Sequence, residues 1–157
     1  MTLRAIRILL VDDSEAVRQA LCSLLSAHVE FEIVCESVNG SAAISKTAEL
    51  QPDVILLDIN LPDMNGLEAA RQMKSAAPSA EILLLSEHDL LPMVQEGLRA
   101  GARGYVLKSD ARTSWRQRFD RFTRKNGMLA SDSRNEGNPS VIRATNHACT
   151  FLGLFVA

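Results

Sequence analysis

The chain has 157 residues, of which 46% are apolar and 23% charged, and its formal net charge is −2. This composition excludes a fully disordered chain and predicts one domain whose core needs neither disulfides nor a structural metal. The three cysteines (Cys22, Cys35 and Cys149) show no metal-ligand spacing and indicate reduced thiols. No apolar run approaches the roughly 18 to 20 residues of a membrane span, and no signal peptide is recognisable, so we expect a cytoplasmic protein without membrane contact.

The near-neutral net charge hides an asymmetry along the chain. Residues 1–110 carry 9 Lys and Arg against 16 Asp and Glu, whereas residues 111–157 carry 8 against 3. The regular pattern of apolar runs ends at the same place. We therefore predict a boundary near residue 110.

Five short apolar runs alternate with segments of helical spacing. The runs are continuous and rich in Val, Ile and Leu, which is typical of strands buried on both faces of a parallel sheet. The predicted strands cover 6–11, 31–35, 54–57, 82–85 and 105–107. The first predicted helix follows Ser14, and the next three cover 42–50, 67–76 and 91–100. Alternating strands and helices predict a doubly wound α/β fold with a parallel sheet and helices on both faces.

Polar side chains follow four of these strands directly. They are Asp12, Asp13, Asp58, Ser86 and Lys108. Because the carboxyl ends of parallel strands meet at one edge, these groups should share a cleft. Three carboxylates there repel each other unless a hard cation lies among them, and Mg²⁺ is the cation that best fits oxygen ligands. The lysine would then supply a positive charge, and the hydroxyl a hydrogen-bond donor, to an anion beside the metal. A phosphoryl group is an anion that fits there.

Each residue taken alone has a simpler explanation. A carboxylate at a strand end is often a helix N-cap, Lys108 could be a solvated charge, and Ser86 could cap the following turn. These explanations do not predict that all five groups fall at carboxyl ends of strands. The joint pattern favours a metal and phosphoryl site.

Four stretches of residues 4–110 form a distinctive set: ILLVDDSEAVRQAL, PDVILLDINLPDMNGLEAARQM, ILLLSEHD and LRAGARGYVLKSD. The most specific feature is an Asp that ends an apolar strand and is followed by Pro62 and Asn65-Gly66. With these stretches, residues 4–110 resemble the receiver domain of two-component response regulators. The resemblance implies a flavodoxin-like, five-stranded sheet of order 2-1-3-4-5.

The resemblance also implies roles for the strand-end residues. Asp58 would accept a phosphoryl group from a sensor histidine kinase or a phosphotransfer protein. Asp13, Asp58 and the backbone carbonyl of Asn60 would hold Mg²⁺, with Asp12 acting mostly through water. Lys108 would pair with the phosphoryl oxygens. Such a protein is a signalling switch that takes part only in its own phosphorylation and dephosphorylation, and is not an enzyme acting on other substrates.

Ser86 and Tyr105 match the switch pair of that family. The hydroxyl would move to meet the phosphoryl group and the ring would swing inward, changing the surface of helix 4, strand 5 and helix 5. A homodimer is a possible partner arrangement for such a surface. The residue after the switch hydroxyl is usually small, so Glu87 is a departure that would add repulsion unless it turns to solvent. His88 is interpreted as a rate modifier or a plain surface residue rather than a metal ligand.

Two other classes of protein remain as alternatives. A pseudo-receiver, or a defective product, would be an interaction module that never takes phosphate. A haloacid-dehalogenase-like phosphatase also uses a strand-end Asp, but it would need a second Asp where this chain has Asn60. The phosphatase ranks last for that reason.

The form of the fifth-strand region, AGARGY, resembles the subfamily that continues into a LuxR-type helix-turn-helix domain, and no such domain is recognisable after residue 110. We predict a receiver domain over 1–126, with an atypical amphipathic fifth helix over 111–126 that carries Trp115, Phe119 and Phe122 on one side. We predict an irregular tail over 127–157, no output domain and no DNA binding. The Arg-rich composition also suggests a frame-shifted reading of an ancestral fifth helix and DNA-binding domain.

Overall fold

The computed structural model describes residues 4–88, 90–109 and 119. Five strands and four helices alternate within these residues. They are β1 (Ile6–Val11), α1 (Glu15–Ser26), β2 (Phe31–Ser37), α2 (Gly40–Leu50), β3 (Val54–Asp58), α3 (Gly66–Ala76), β4 (Glu81–Ser86), α4 (Leu91–Arg99) and β5 (Gly104–Leu107). All described strand pairs are parallel and the strand order is β2-β1-β3-β4-β5. The predicted fold and strand order are confirmed.

The sheet separates two layers of apolar side chains. Successive residues of a strand point to opposite faces, so Leu9 and Val11 of β1 join one cluster while Ile8 and Leu10 join the other. The middle strand β3 is buried along its whole length, from Val54 to Asp58. This double burial explains why the strands are continuous apolar runs rather than alternating ones.

Polar side chains define where three helices begin. Ser14, Asn39 and Asn65 each accept a hydrogen bond from a backbone N–H in the first turn of α1, α2 and α3. The fourth helix, α4, has no such side-chain cap, and its first turn carries Pro92. The helix starts that face the carboxyl edge of β1 and β3 are therefore held more firmly than the start of α4.

Phe119 is helical and buried, and its ring packs edge-to-face on Phe31 with centroids 4.9 Å apart. The remainder of the predicted fifth helix and the predicted tail, 127–157, lie outside the described residues, and so does the hypothesis of a frame-shifted segment. Within the described part of the chain, no helix is long and apolar enough to cross a lipid bilayer.

Candidate metal and phosphoryl-acceptor site

The ammonium group of Lys108 lies between two buried carboxylates. Its Nζ is 2.8 Å from Oδ2 of Asp12 and 2.9 Å from Oδ2 of Asp58. Asp12 directly follows β1, Asp58 is the last residue of β3, and Lys108 directly follows β5. Three separate strands thus deliver these groups to one edge of the sheet, as the sequence predicted.

Burial sets the protonation behaviour of this cluster. Removal from water raises the pKa of Asp58 above its ordinary value, although the contact with Lys108 and the N–H of Asn60 act in the opposite direction. For Lys108, burial alone would lower the pKa, but the contacts with Asp12 and Asp58 outweigh it and raise the pKa. The lysine therefore remains a cation at this position, and it compensates only part of the buried negative charge.

Asp13 adds a third carboxylate to the pair. One oxygen from each of Asp12, Asp13 and Asp58 lies within 4.8 Å of the others. Oδ2 of Asp12 is buried, and its polar partner in the described part of the chain is the Lys108 ammonium, 2.8 Å away. An all-oxygen donor set with two uncompensated charges fits Mg²⁺ as a second cation. Asp13 itself is exposed and lines an open cleft of about 380 Å³ beside Asn60.

The loop after β3 is fixed by a close backbone approach. The N–H of Asn60 donates to Oδ1 of Asp58 over 3.1 Å, and the N–H of Gly66 donates to the carbonyl of Ile59 over 2.8 Å. A Cβ on Gly66 would lie 2.2 Å from the carbonyl oxygen of Asp58. Only glycine fits there, which gives the Asn65-Gly66 pair of the sequence a steric reason.

Asp63 holds the same loop from the other side, a role that sequence reasoning missed. Its carboxylate accepts hydrogen bonds from the backbone N–H of Gly40 (2.8 Å) and of Ser41 (2.9 Å), and from the Ser41 hydroxyl (2.7 Å). These bonds, led by the one from the Ser41 hydroxyl, lower the pKa of Asp63 to about 2. The loop that carries Asn60 is thereby tied to the first turn of α2, 22 residues earlier in the chain.

Ser86 and Tyr105 meet at one backbone group. The Ser86 hydroxyl donates to the carbonyl of His88 and accepts from its N–H, both over 3.1 Å. The Tyr105 hydroxyl donates to the same carbonyl, over 2.5 Å, and its ring is buried. The two residues predicted as a switch pair are therefore joined through the main chain of His88, a role the sequence did not indicate.

The two residues predicted to modulate the site lie at its margin. Glu87 is exposed and does not belong to the group of three carboxylates, and the side chain of His88 is also exposed. The structure brings Asp12, Asp58 and Lys108 into direct contact, with Asp13 and Asn60 at the adjoining cleft. Ser86 and Tyr105 are not part of that contact and meet instead at the His88 carbonyl.

Comparison with known proteins agrees with the fold. Residues 8–120 match the family model described as the response regulator receiver domain. The transcriptional regulatory protein LnrK of Bacillus subtilis (strain 168) is 38% identical over 103 residues, which are 66% of this chain and 47% of LnrK. A two-component response regulator of the LuxR family from Aurantimonas sp. SI85-9A1 superposes with a TM-score of 0.71 at 30% identity, covering 77% of this chain and 86% of that one. The response regulator domain of Thermotoga maritima CheB gives 0.72 at 26% identity, covering 82% and 100%.

The fold and the family match are those of a signalling module of two-component systems. The chain belongs to the response regulator receiver domain family, and its relatives include LuxR-family regulators. The predicted family is confirmed. The chain spans about half the length of the curated relatives it matches.

Proposed function

We propose that this protein is a phosphorylation-controlled switch in which Asp58 accepts a phosphoryl group in the presence of Mg²⁺. One observation carries the proposal: the Asp58 carboxylate shares Lys108 with the buried Asp12 carboxylate, and an Asp13 oxygen lies within 4.8 Å of both. Asp12, Asp13 and the backbone carbonyl of Asn60 complete the metal site with Asp58. Asp12 and Asp58 are both buried beside Lys108, and Asp58 is the one that ends the middle strand β3, where its Oδ1 is oriented by the N–H of Asn60.

The chemistry is an in-line displacement at phosphorus. A carboxylate oxygen of Asp58 forms the new bond to phosphorus as the bond to the donor breaks, and the leaving group keeps the electron pair. Mg²⁺ supplies charge neutralisation for the phosphoryl oxygens when it is bound. Lys108 holds a second positive charge there, and the N–H of Asn60 orients Asp58 through Oδ1. The protein thus acts on its own phosphorylation state rather than as an enzyme on another substrate.

Transmission of the signal uses Ser86 and Tyr105. In the structure the Ser86 hydroxyl is engaged by the main chain of His88, which also accepts from Tyr105. A phosphoryl group on Asp58 offers the hydroxyl a charged acceptor that competes with the His88 carbonyl. If the Ser86 hydroxyl leaves the His88 carbonyl, the hydrogen bonding of the β4–α4 connection changes. The position of α4 would then change as well.

The proposed donor is a sensor histidine kinase or a phosphotransfer protein, and the proposed location is the cytoplasm. The receiver domain is proposed to extend over 1–126. The family match to residue 120 and the burial of Phe119 support an extension beyond residue 110.

Phosphorylation by acetyl phosphate with Mg²⁺ tests the proposal directly. Asp58→Asn should abolish incorporation because it removes the nucleophile, whereas Asp12→Asn should leave a reduced amount because its oxygen only supports the cation. Intact-protein mass spectrometry measures the added mass. Equal labelling of the wild type and the Asp58 variant would overturn the assignment.

Beryllofluoride with Mg²⁺ distinguishes a receiver from a pseudo-receiver. The complex mimics an acyl phosphate and needs Asp58, the metal and Lys108, but no kinase. We expect binding by the wild type and none by Asp58→Asn, measured by calorimetry. A wild type that ignores both acetyl phosphate and beryllofluoride would be a pseudo-receiver.

A further inference from the structure

Arg18, on α1, is bonded to the backbone that carries the metal carboxylates. Its Nη1 donates to the carbonyl oxygen of Asp12 over 2.8 Å and to that of Asp13 over 3.2 Å. Its Nε pairs with Glu36 of β2 over 3.2 Å. The Arg18 side chain is only 14% exposed, so the guanidinium is held in place by packing as well as by these bonds.

The two carbonyls that Arg18 binds lie in the short connection between β1 and α1. On its sheet side this connection is held by the N–H of Asp12, which donates to the carbonyl of Ser37 over 3.1 Å. The Asp12 side chain is oriented by the N–H of Ser14, which donates to Oδ1 over 2.9 Å. Asp13 is exposed, and Arg18 binds its carbonyl directly.

From this geometry we infer that Arg18 is a positioning residue for the metal site, because it holds the main chain of Asp12 and Asp13 so that both carboxylates face the cation. The inference rests on the proposed Mg²⁺ site. Residues that orient metal ligands through hydrogen bonds typically change metal affinity by about 10- to 100-fold when they are replaced. Arg18 has the contacts of such a residue and touches no ligand oxygen of a side chain.

Loss of the Arg18 charge and loss of the Arg18 hydrogen bonds should change the affinity for Mg²⁺ in opposite directions. The direction of the change therefore tests the inference. A cation near an acidic metal site repels Mg²⁺, so removal of the charge alone would tighten binding. Removal of the two carbonyl contacts would loosen the carboxylates and weaken binding. If Arg18 only joined α1 to β2, its replacement would alter the free energy of unfolding and leave the affinity for Mg²⁺ unchanged.

The experiment is a calorimetric Mg²⁺ titration of the full chain and three variants, with a urea unfolding curve for each. Arg18→Gln should weaken binding by about tenfold or more, since it removes both carbonyl contacts. Arg18→Lys should lie between this variant and the wild type, because an ammonium can still reach one carbonyl. Glu36→Gln keeps Arg18 and its carbonyl contacts, so its affinity should stay within about twofold of wild type, as expected for a partly exposed ion pair.

The outcomes separate this inference from the proposed function. If the wild type binds no Mg²⁺, the proposed site is wrong and the role of Arg18 is wrong with it. If the wild type binds Mg²⁺ and Arg18→Gln binds as well or more tightly, only the role of Arg18 is overturned. Should Arg18→Gln fail to fold, Arg18→Lys decides, because an affinity equal to wild type in that variant contradicts the need for two carbonyl contacts.

Discussion

The two halves of the site are built differently. At β1 and β3 the polar groups are fixed by the main chain: Asp12 by the N–H of Ser14, Asp58 by that of Asn60, and the following loop by Gly66. At β4 and β5, Ser86 and Tyr105 share one carbonyl of an exposed residue. A metal and phosphoryl site needs preorganised ligands, whereas a switch needs bonds that can be exchanged.

The largest effect is expected where a side chain would enter the fixed half. Gly66→Ala places a Cβ 2.2 Å from the Asp58 carbonyl oxygen and 2.6 Å from Cα of Ile59. Because backbone atoms cannot yield cheaply, the variant should lose about 3 kcal/mol in the free energy of unfolding. Urea denaturation measures this loss, and acetyl phosphate labelling should fall with it.

Gly101→Ala is the matched control for that variant. Gly101 has a φ of +97°, and an added Cβ would meet only the flexible Lys74 side chain, at 3.2 Å. Its cost should be about 1 to 2 kcal/mol because a positive φ is unfavourable for Ala, and the site should be unaffected because Gly101 precedes β5 whereas Lys108 follows that strand. Equal losses of stability and of labelling in the two variants would contradict the special role of Gly66.

Mg²⁺ should stabilise the folded chain. Binding relieves the repulsion among Asp12, Asp13 and Asp58, and a ligand of the native state at 100 times its dissociation constant adds about 2.7 kcal/mol. Thermal unfolding at matched ionic strength measures the effect. Asp13→Asn should lose most of the response, and an equal response in both proteins would argue against a defined metal site.

Asp63 should make the fixed half sensitive to acid. Its pKa is about 2 in the folded chain against an ordinary value of 3.8, so the carboxylate stabilises the fold above about pH 4. That contribution is lost as the pH falls toward 2. The difference in free energy of unfolding between wild type and Asp63→Asn should therefore shrink from pH 6 to pH 3.

Ser41→Ala provides the comparison for Asp63. This variant removes the hydroxyl that contributes most to the low pKa but keeps the two backbone donors. It should show a smaller pH-dependent difference than Asp63→Asn. A constant difference between wild type and Asp63→Asn over this pH range would show that the carboxylate does not act through its charge.

The smallest effect is expected at Glu87. If the Glu87 carboxylate repelled anions at the cleft, its removal in Glu87→Ala would make beryllofluoride bind more tightly. The exposure of Glu87 predicts instead an affinity within about twofold of wild type, since an exposed charge is screened. Calorimetry distinguishes the two outcomes, and a large gain in affinity would show that Glu87 faces the site.

The sequence by itself determined the order of elements, the parallel sheet and the edge where the site lies. These follow from local signals, because doubly buried strands must be continuous apolar runs and the chain direction places their carboxyl ends together. Asp12, Asp58 and Lys108 were predicted as neighbours for this reason. The strand order itself came from the resemblance to receiver domains.

Only the tertiary structure decided which backbone groups hold those side chains. Arg18, Asp63 and the His88 carbonyl act across elements: Asp63 lies 22 residues from Ser41, and Tyr105 lies 17 residues from His88. Hydrogen bonds between main chain and distant side chains leave no periodic pattern, since any loop carboxylate or helix arginine looks solvated when only its chain neighbours are known. The same limit applied to Glu87, whose exposure depends on how the β4–α4 connection turns.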